Sequence, residues 1–160
     1  MIIFDFNTKS DVTNWKTIND VVMGGKSNSF FSINDAGIGV FRGEVSLENN
    51  GGFAMLQYHF NSKNVFTFSK VCLKVKGDGK TYQFRIKNSA RDKHSYIATF
   101  NTTTKWCNIE IPFSNMHPAF RGKSLDIPNY SGEQMEQITF LIGNKKEETF
   151  SLEISNIMLK

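Results

Sequence analysis

Residues 71–87 read Val-Cys-Leu-Lys-Val-Lys-Gly-Asp-Gly-Lys-Thr-Tyr-Gln-Phe-Arg-Ile-Lys, and their alternation decides the fold class. Val71, Leu73 and Val75 alternate with Cys72, Lys74 and Lys76. After Gly77-Asp78-Gly79, Tyr82, Phe84 and Ile86 alternate with Gln83, Arg85 and Lys87. A period of two sends successive side chains to opposite faces of an extended chain, whereas a helix repeats its apolar positions about every three to four residues. Each half is therefore a half-buried strand. The Gly-Asp-Gly between them supplies the positive-φ positions of a hairpin, which predicts that the two strands pair.

The same pattern continues outward on both sides. Asn34-Asp35-Ala36-Gly37 reads as a turn between Phe30–Ile33 and Val40–Leu47, and Asn49-Asn50-Gly51-Gly52 as a turn before Phe53–Phe60. Further strands are predicted at Ser95–Phe100, Cys107–Ile111, Gln137–Ile142 and Phe150–Leu159. In the last run Phe150, Leu152 and Ile154 keep one phase and Ile157 and Leu159 resume in the other. A bulge at Ser155-Asn156 reconciles them and would let the strand bend between two sheets. No segment has a sustained 3.6-residue apolar period, so helix is limited to short turns near Ser114–Met116 or Gly132–Gln137. About nine or ten short strands at regular spacing predict an all-β antiparallel sandwich of the jelly-roll type. No repeat, linker or low-complexity tract divides the chain, so residues 1–160 are read as one domain. With 39% hydrophobic residues, including 15 Phe, the core needs no disulfide or metal.

Composition and motifs narrow the function classes. The net charge of +4 arises from 19 basic and 15 acidic residues scattered along the chain, not from the clustered stripe of a nucleic-acid binder. No apolar run approaches the roughly 20 residues of a membrane-spanning helix. Met1-Ile2-Ile3-Phe4-Asp5-Phe6 carries no basic n-region or cleavage site, giving the expectation of a cytoplasmic protein. Cys72 and Cys107 lack metal-knuckle spacing and are read as packing residues. Gly25-Lys26-Ser27 resembles the end of a phosphate loop, but the first glycine that such a loop requires is replaced by Asp20. His59, His94 and His117 have no ligand spacing, and no serine sits in a nucleophile elbow, so neither catalytic residue, metal nor cofactor is assigned.

Three segments carry the candidate binding residues. In the first, Trp15 to Ser27, the Asn19-Asp20 and Gly24-Gly25 pairs have two readings. They form a loop scaffold in which Asn and Asp bond backbone amides and glycine permits tight turns, or they form a recognition surface. In the second, Trp106 to Gly122, Phe120-Arg121-Gly122 either anchors a loop or presents a guanidinium to an acidic group. The third is a basic row of Lys74, Lys76, Gln83, Arg85 and Lys87, whose plainer reading is a solvated sheet face.

At these residues the chain resembles the complex I intermediate-associated protein 30 family. The resemblance runs in order through Trp15, then Asn19-Asp20-x-Val22-Met23-Gly24-Gly25-x-Ser27, then Phe41-x-Gly43-x-Val45 and Asn50-Gly51-Gly52-Phe53-Ala54. It continues through Lys76-Gly77-Asp78-Gly79-Lys80-x-Tyr82-x-Phe84, Trp106 with Ile111-Pro112-Phe113, Phe120-Arg121-Gly122 and Phe150-x-Leu152-x-Ile154-x-x-Ile157. Met55 departs from the small polar residue common after Gly-Gly-Phe-Ala, and Lys145 to Thr149 lacks a Gly-Pro common before the last strand. The resemblance implies a galactose-binding-like jelly roll and an assembly or chaperone-like role exercised on another protein. The short N-terminus is more like that of a bacterial relative than of a mitochondrial one.

The resulting expectation is a noncatalytic protein-binding module. Its recognition surface is Asn19, Asp20, Met23, Gly24, Gly25 and Ser27 together with Phe120, Arg121 and Gly122. The rival readings are a carbohydrate-binding module using Trp15, Tyr58, Trp106 and Tyr130, and RNA binding through the basic row. Trp15 and Trp106 are themselves expected in the core.

Overall fold

The structure is a computed structural model that describes residues 1–19 and 25–160. Among these residues it is built from strands and short turns, with no α-helix. In chain order the strands are β1 (Ile2–Asp5), β2 (Trp15–Asn19), β3 (Asn28–Ile33), β4 (Gly39–Val45), β5 (Ala54–Asn64), β6 (Lys70–Lys76) and β7 (Thr81–Lys87). They continue as β8 (Ser95–Asn101), β9 (Cys107–Pro112), β10 (His117–Phe120), β11 (Lys123–Ser124), β12 (Gln134–Ile142) and β13 (Glu148–Leu159). Two antiparallel sheets result. One has the order β3-β4-β13-β6-β9 with β1 also on β13, and the other β11-β10-β8-β7-β12-β5-β2.

The sheets meet through the inward phase of each strand. Phe41, Leu73, Val75, Leu152 and Ile154 on one side, and Leu56, Tyr82, Phe84, Ile86, Ile138 and Phe140 on the other, are all buried and belong to one core cluster. Burying side chains of this size contributes roughly 1.5–3 kcal/mol each before chain entropy is set against it. The antiparallel jelly-roll architecture expected from the alternation is the one observed.

The hairpin expected at 71–87 does not form. β6 lies between β13 and β9, while β7 lies between β8 and β12. Gly77-Asp78-Gly79 is an arch from one sheet to the other. The Gly77 N–H donates to Thr103 O at 2.9 Å, and a β-carbon at Gly77 would lie 2.2 Å from the Thr102 side chain, so only glycine lets the chain cross there. The Asp78 carboxylate clamps the arch, accepting from Lys80 N at 3.2 Å, Tyr82 OH at 3.1 Å and Ser151 N at 2.9 Å. The basic row therefore splits. Lys74 and Lys76 project from the outer face of the six-stranded sheet, and Gln83, Arg85 and Lys87 from the outer face of the seven-stranded one.

Two other expectations change. The register of β13 against β6 does shift between Ile154 and Asn156, but the strand stays in one sheet: the bulge passes its other edge from β4 to β1. Gly132–Gln137 is not helical and leads into β12, whereas a 3-10 turn covers Phe113–Asn115. The 3–4 hairpin follows the sequence: Asn34 Oδ1 accepts from Ala36 N and Ile38 N, and Gly37 takes a φ of 80°.

Candidate binding cleft

The seven-stranded sheet turns a second set of side chains away from the core, and the strand register arranges them in rows. Ile18, Met55, Leu141, Gln83 and Thr99 form one row. Lys16, Gln57, Thr139, Arg85 and Ile97 form the next, and His59, Gln137 and Lys87 a third. An apolar strip therefore borders a polar and basic one. Thr139 and Gln137 are buried although they face outward, and Gln137 Nε2 donates to Thr139 Oγ1 at 3.4 Å. Longer side chains flank them in register on both sides.

At the apolar end the face deepens into a cleft of about 570 Å³ lined by Gly52, Phe53, Met55, Gln83, Arg85, Arg121, Gly122, Leu141 and Gly143. The backbones at 52–53 and 143 run close together: a β-carbon on Gly143 would sit 3.1 Å from Gly52 O. Arg121-Gly122 is the two-residue connection of the β10–β11 hairpin, whose flanking pair is Phe120 and Lys123. Both positions have positive φ, 50° and 77°, as a primed hairpin turn requires. Arginine in that conformation costs roughly 1 kcal/mol relative to Gly or Asn. Its guanidinium lies 5.1 Å from the centre of the Phe120 ring.

The ionisable side chains within the three rows are all basic. Arg85 is half-buried, and both its Nε and Nη2 donate to Gln83 Oε1, at 3.0 and 2.7 Å. Burial draws its pKa below the ordinary guanidinium value. Burial likewise lowers Lys87, with Arg85 adding to the effect and Asp92 opposing it; Lys87 Nζ donates to the Asp92 carbonyl at 2.8 Å. His59 is lowered by burial and then by Lys16 and Lys87. Among the described residues none of Lys16, His59, Arg85, Lys87 or Arg121 forms a salt bridge.

Of the residues singled out in the sequence, Arg121 and Gly122 meet Gln83 and Arg85 across the cleft, and Phe120 precedes that turn. Lys87 shares the face, while Lys74 and Lys76 lie on the opposite one. Asp20, Met23 and Gly24 lie outside the described residues. Their flanks are built into the scaffold. Asn19 Oδ1 accepts from the Ser29 hydroxyl, Gly25 is buried, and buried Ser27 accepts from Ser46 N at 2.9 Å and donates to Ser46 O at 3.3 Å. Phe53, Met55 and Leu141 were not among the sequence candidates. Met55 carried a signal as a departure from the family pattern, and Leu141 as an apolar residue in the outward phase of β12.

The rings considered for sugar lie elsewhere. Trp15 is buried and stacked on Tyr58 with centroids 4.5 Å apart, within a cluster that includes Phe4, Phe6 and Phe31. Tyr130 is buried, and its hydroxyl donates to Gln134 O at 2.6 Å. Trp106, expected in the core, is 40% exposed just before β9. The three outward rows carry no Phe, Tyr or Trp. No group of three or more His, Cys, Asp or Glu suited to a metal ion occurs among the described residues.

The sequence profile of the family described as Complex I intermediate-associated protein 30 matches residues 4–154. The mitochondrial protein of that name from Drosophila melanogaster is 23% identical over 186 residues, an alignment that takes in 99% of this chain and 62% of the fly protein. The chain thus spans less than two thirds of that relative's length. Among solved structures, the family 11 carbohydrate-binding module of the cellulosomal cellulase Lic26A-Cel5E of Clostridium thermocellum superposes with a TM-score of 0.69 at 17% identity. That superposition covers 99% of this chain and 92% of the module. The family 11 module from the same organism in complex with a β-1,3-1,4-mixed-linked tetrasaccharide gives 0.68 at 20% identity, covering 99% and 93%.

Proposed function

The chain belongs to the Complex I intermediate-associated protein 30 family, and from that premise we propose that it is a noncatalytic protein-binding module with an assembly-factor role. The outer face of the seven-stranded sheet receives the partner polypeptide. One observation carries this reading: separate segments converge on one cleft, where the Arg121-Gly122 turn meets Gln83 and Arg85 beside Phe53, Met55 and Leu141. Apolar wall and desolvated cation side by side are what an anchoring side chain of a partner needs. Asn19, Gly25 and Ser27 serve the fold as scaffold, a role supported by the hydrogen bond between Asn19 and Ser29 and by the burial and hydrogen bonding of Ser27.

The test is capture of partners from the native organism by the tagged chain, by a Met55→Lys variant and by an Arg42→Gln variant altered on the opposite sheet. Proteins retained by wild type and Arg42→Gln but lost with Met55→Lys support the reading. Equal retention by all three places the partner surface elsewhere.

Likeness to carbohydrate-binding modules favours a second reading, sugar binding on the same face. The lack of stacking rings in its outward rows weighs against it. Calorimetric titration with a β-1,3-1,4-mixed-linked tetrasaccharide decides: saturable heat abolished by Arg85→Gln would favour sugar.

A further inference from the structure

Resting on the reading of this cleft as the partner surface, we propose that it takes an acidic segment of another protein, in which a carboxylate side chain stands next to an apolar one. The carboxylate sits on Arg85 and the apolar side chain against Met55 and Leu141, with Arg121 at the rim.

Arg85 carries the case. A guanidinium has five N–H donors. Gln83 Oε1 takes one from Nε and one from Nη2, and the others have no acceptor among the described residues. Gln83 holds the planar group by one edge, leaving the other available to the two oxygens of a carboxylate. Withdrawing a cation from water without a counter-ion is unfavourable, so a half-buried, unpaired Arg85 marks a place where the opposite charge arrives from outside.

The surroundings reinforce the same sign. Lys87 and His59 face the same way and form no salt bridge among the described residues, with Asp92 the one carboxylate acting on Lys87. On the opposite sheet Lys76 lies 3.8 Å from Glu153 and Lys70 3.1 Å from Glu110. Lys74 and Arg42 on that sheet also form no salt bridge among the described residues, but both are exposed to solvent; half-burial without a counter-ion is what sets Arg85 apart. Ligand classes separate on the neighbours: sugars and unpaired bases stack on flat rings, and the outward rows offer no Phe, Tyr or Trp, Phe53 at the end of the cleft being the one aromatic ring in its lining among the described residues. An apolar wall of Phe53, Met55 and Leu141 beside a guanidinium matches an apolar and an acidic side chain adjacent on a polypeptide.

Selection of a random-peptide display library on the intact chain provides the probe. A fluorescein-labelled selected peptide and its isostere, with each Asp or Glu changed to Asn or Gln, are then titrated by anisotropy against wild type, Arg85→Gln, Met55→Lys and Arg42→Gln, each shown by thermal melting to be folded. Selected peptides should share an acid beside an apolar residue. The isostere should bind roughly 10- to 100-fold more weakly, as expected for loss of a hydrogen bond to a charged group. Arg85→Gln should lose a similar factor and no longer distinguish peptide from isostere, while Arg42→Gln changes nothing. Peptides lost with Met55→Lys but indifferent to their acids and to Arg85 would overturn the acidic chemistry and leave the binding face standing. Selection of no peptide sensitive to Met55→Lys, or capture of an acidic polysaccharide such as polygalacturonate instead, would overturn both.

Discussion

The two sheets turn faces of opposite character to solvent. On the six-stranded face the cations are either paired or open to solvent: Lys76 lies by Glu153, Lys70 by Glu110 and Arg42 over the ring of Phe30 at 5.4 Å, while Lys74 is exposed. On the seven-stranded face Arg85, Lys87, His59 and Arg121 border an apolar strip, and none of them forms a salt bridge among the described residues, Asp92 acting only on Lys87. Exposed ion pairs contribute about 0–1 kcal/mol, so the first face is a solvated exterior with little at stake. Uncompensated charge beside apolar surface has a cost to the isolated fold, and it persists where binding supplies the missing partner. Half-burial of a charge without a salt bridge, more than charge itself, separates site from exterior.

The arch that keeps these faces apart is the first place to break them. Asp78→Ala removes the acceptor of the buried Tyr82 hydroxyl, whose pKa is pushed far above the ordinary phenol value by burial and by that carboxylate, so it stays a donor. Loss of roughly 2–3 kcal/mol is expected in urea denaturation, because a buried donor is left unsatisfied and Ser151 N loses its acceptor. A change under roughly 0.5 kcal/mol would make the clamp incidental.

Charge reversal sharpens the contrast at the next level. Arg85→Glu should weaken partner capture by about 1.5–3 kcal/mol, while Lys76→Glu on the other sheet should leave it unchanged, both read in competition binding. Arg121→Asn separates stability from binding. It should raise stability by roughly 0.5–1 kcal/mol by relieving the positive-φ position, yet bind less tightly; loss of stability would show that Arg121 is held for the fold.

The smallest effect is a pH dependence confined to one face. His59 has its pKa lowered in the folded chain by burial, Lys16 and Lys87, so the unfolded chain takes up its proton first as pH falls. Its contribution is intact above the ordinary imidazole value of about 6.5 and is lost progressively as pH drops through that value toward the lower folded one. Denaturation midpoints should decline over that window in wild type and less so in His59→Gln. Parallel curves would contradict it.

Much of this was legible from local pattern, and the limits are physical. Alternation at Val71–Lys76 and Thr81–Lys87 identified two strands and their inward residues, but a period of two says nothing about which sheet a strand joins. The information lay in Gly77, needed for close approach to Thr102, and in the reach of Asp78 to Ser151 across 73 residues of sequence. For the same reason one basic row became two faces. Arg121-Gly122 and Arg85 were both visible as candidates, whereas their meeting was not, because the register of β8 against β10 and β7 sets it. Met55 was visible only as an anomaly. The short β1, β2, β10 and β11 lack enough alternation to announce themselves, and tertiary pairing makes them strands.

Hydroxyl-radical footprinting of the chain alone and with its captured partner addresses the seven-stranded face most directly, since it reads side chains on both sheets at once. The expected result is protection of Met55, Phe53 and Phe120 on partner binding, with the exposed Phe30 and Phe66 oxidised as before. Protection of Phe30 with Met55 unchanged would contradict it and assign the partner to the opposite sheet.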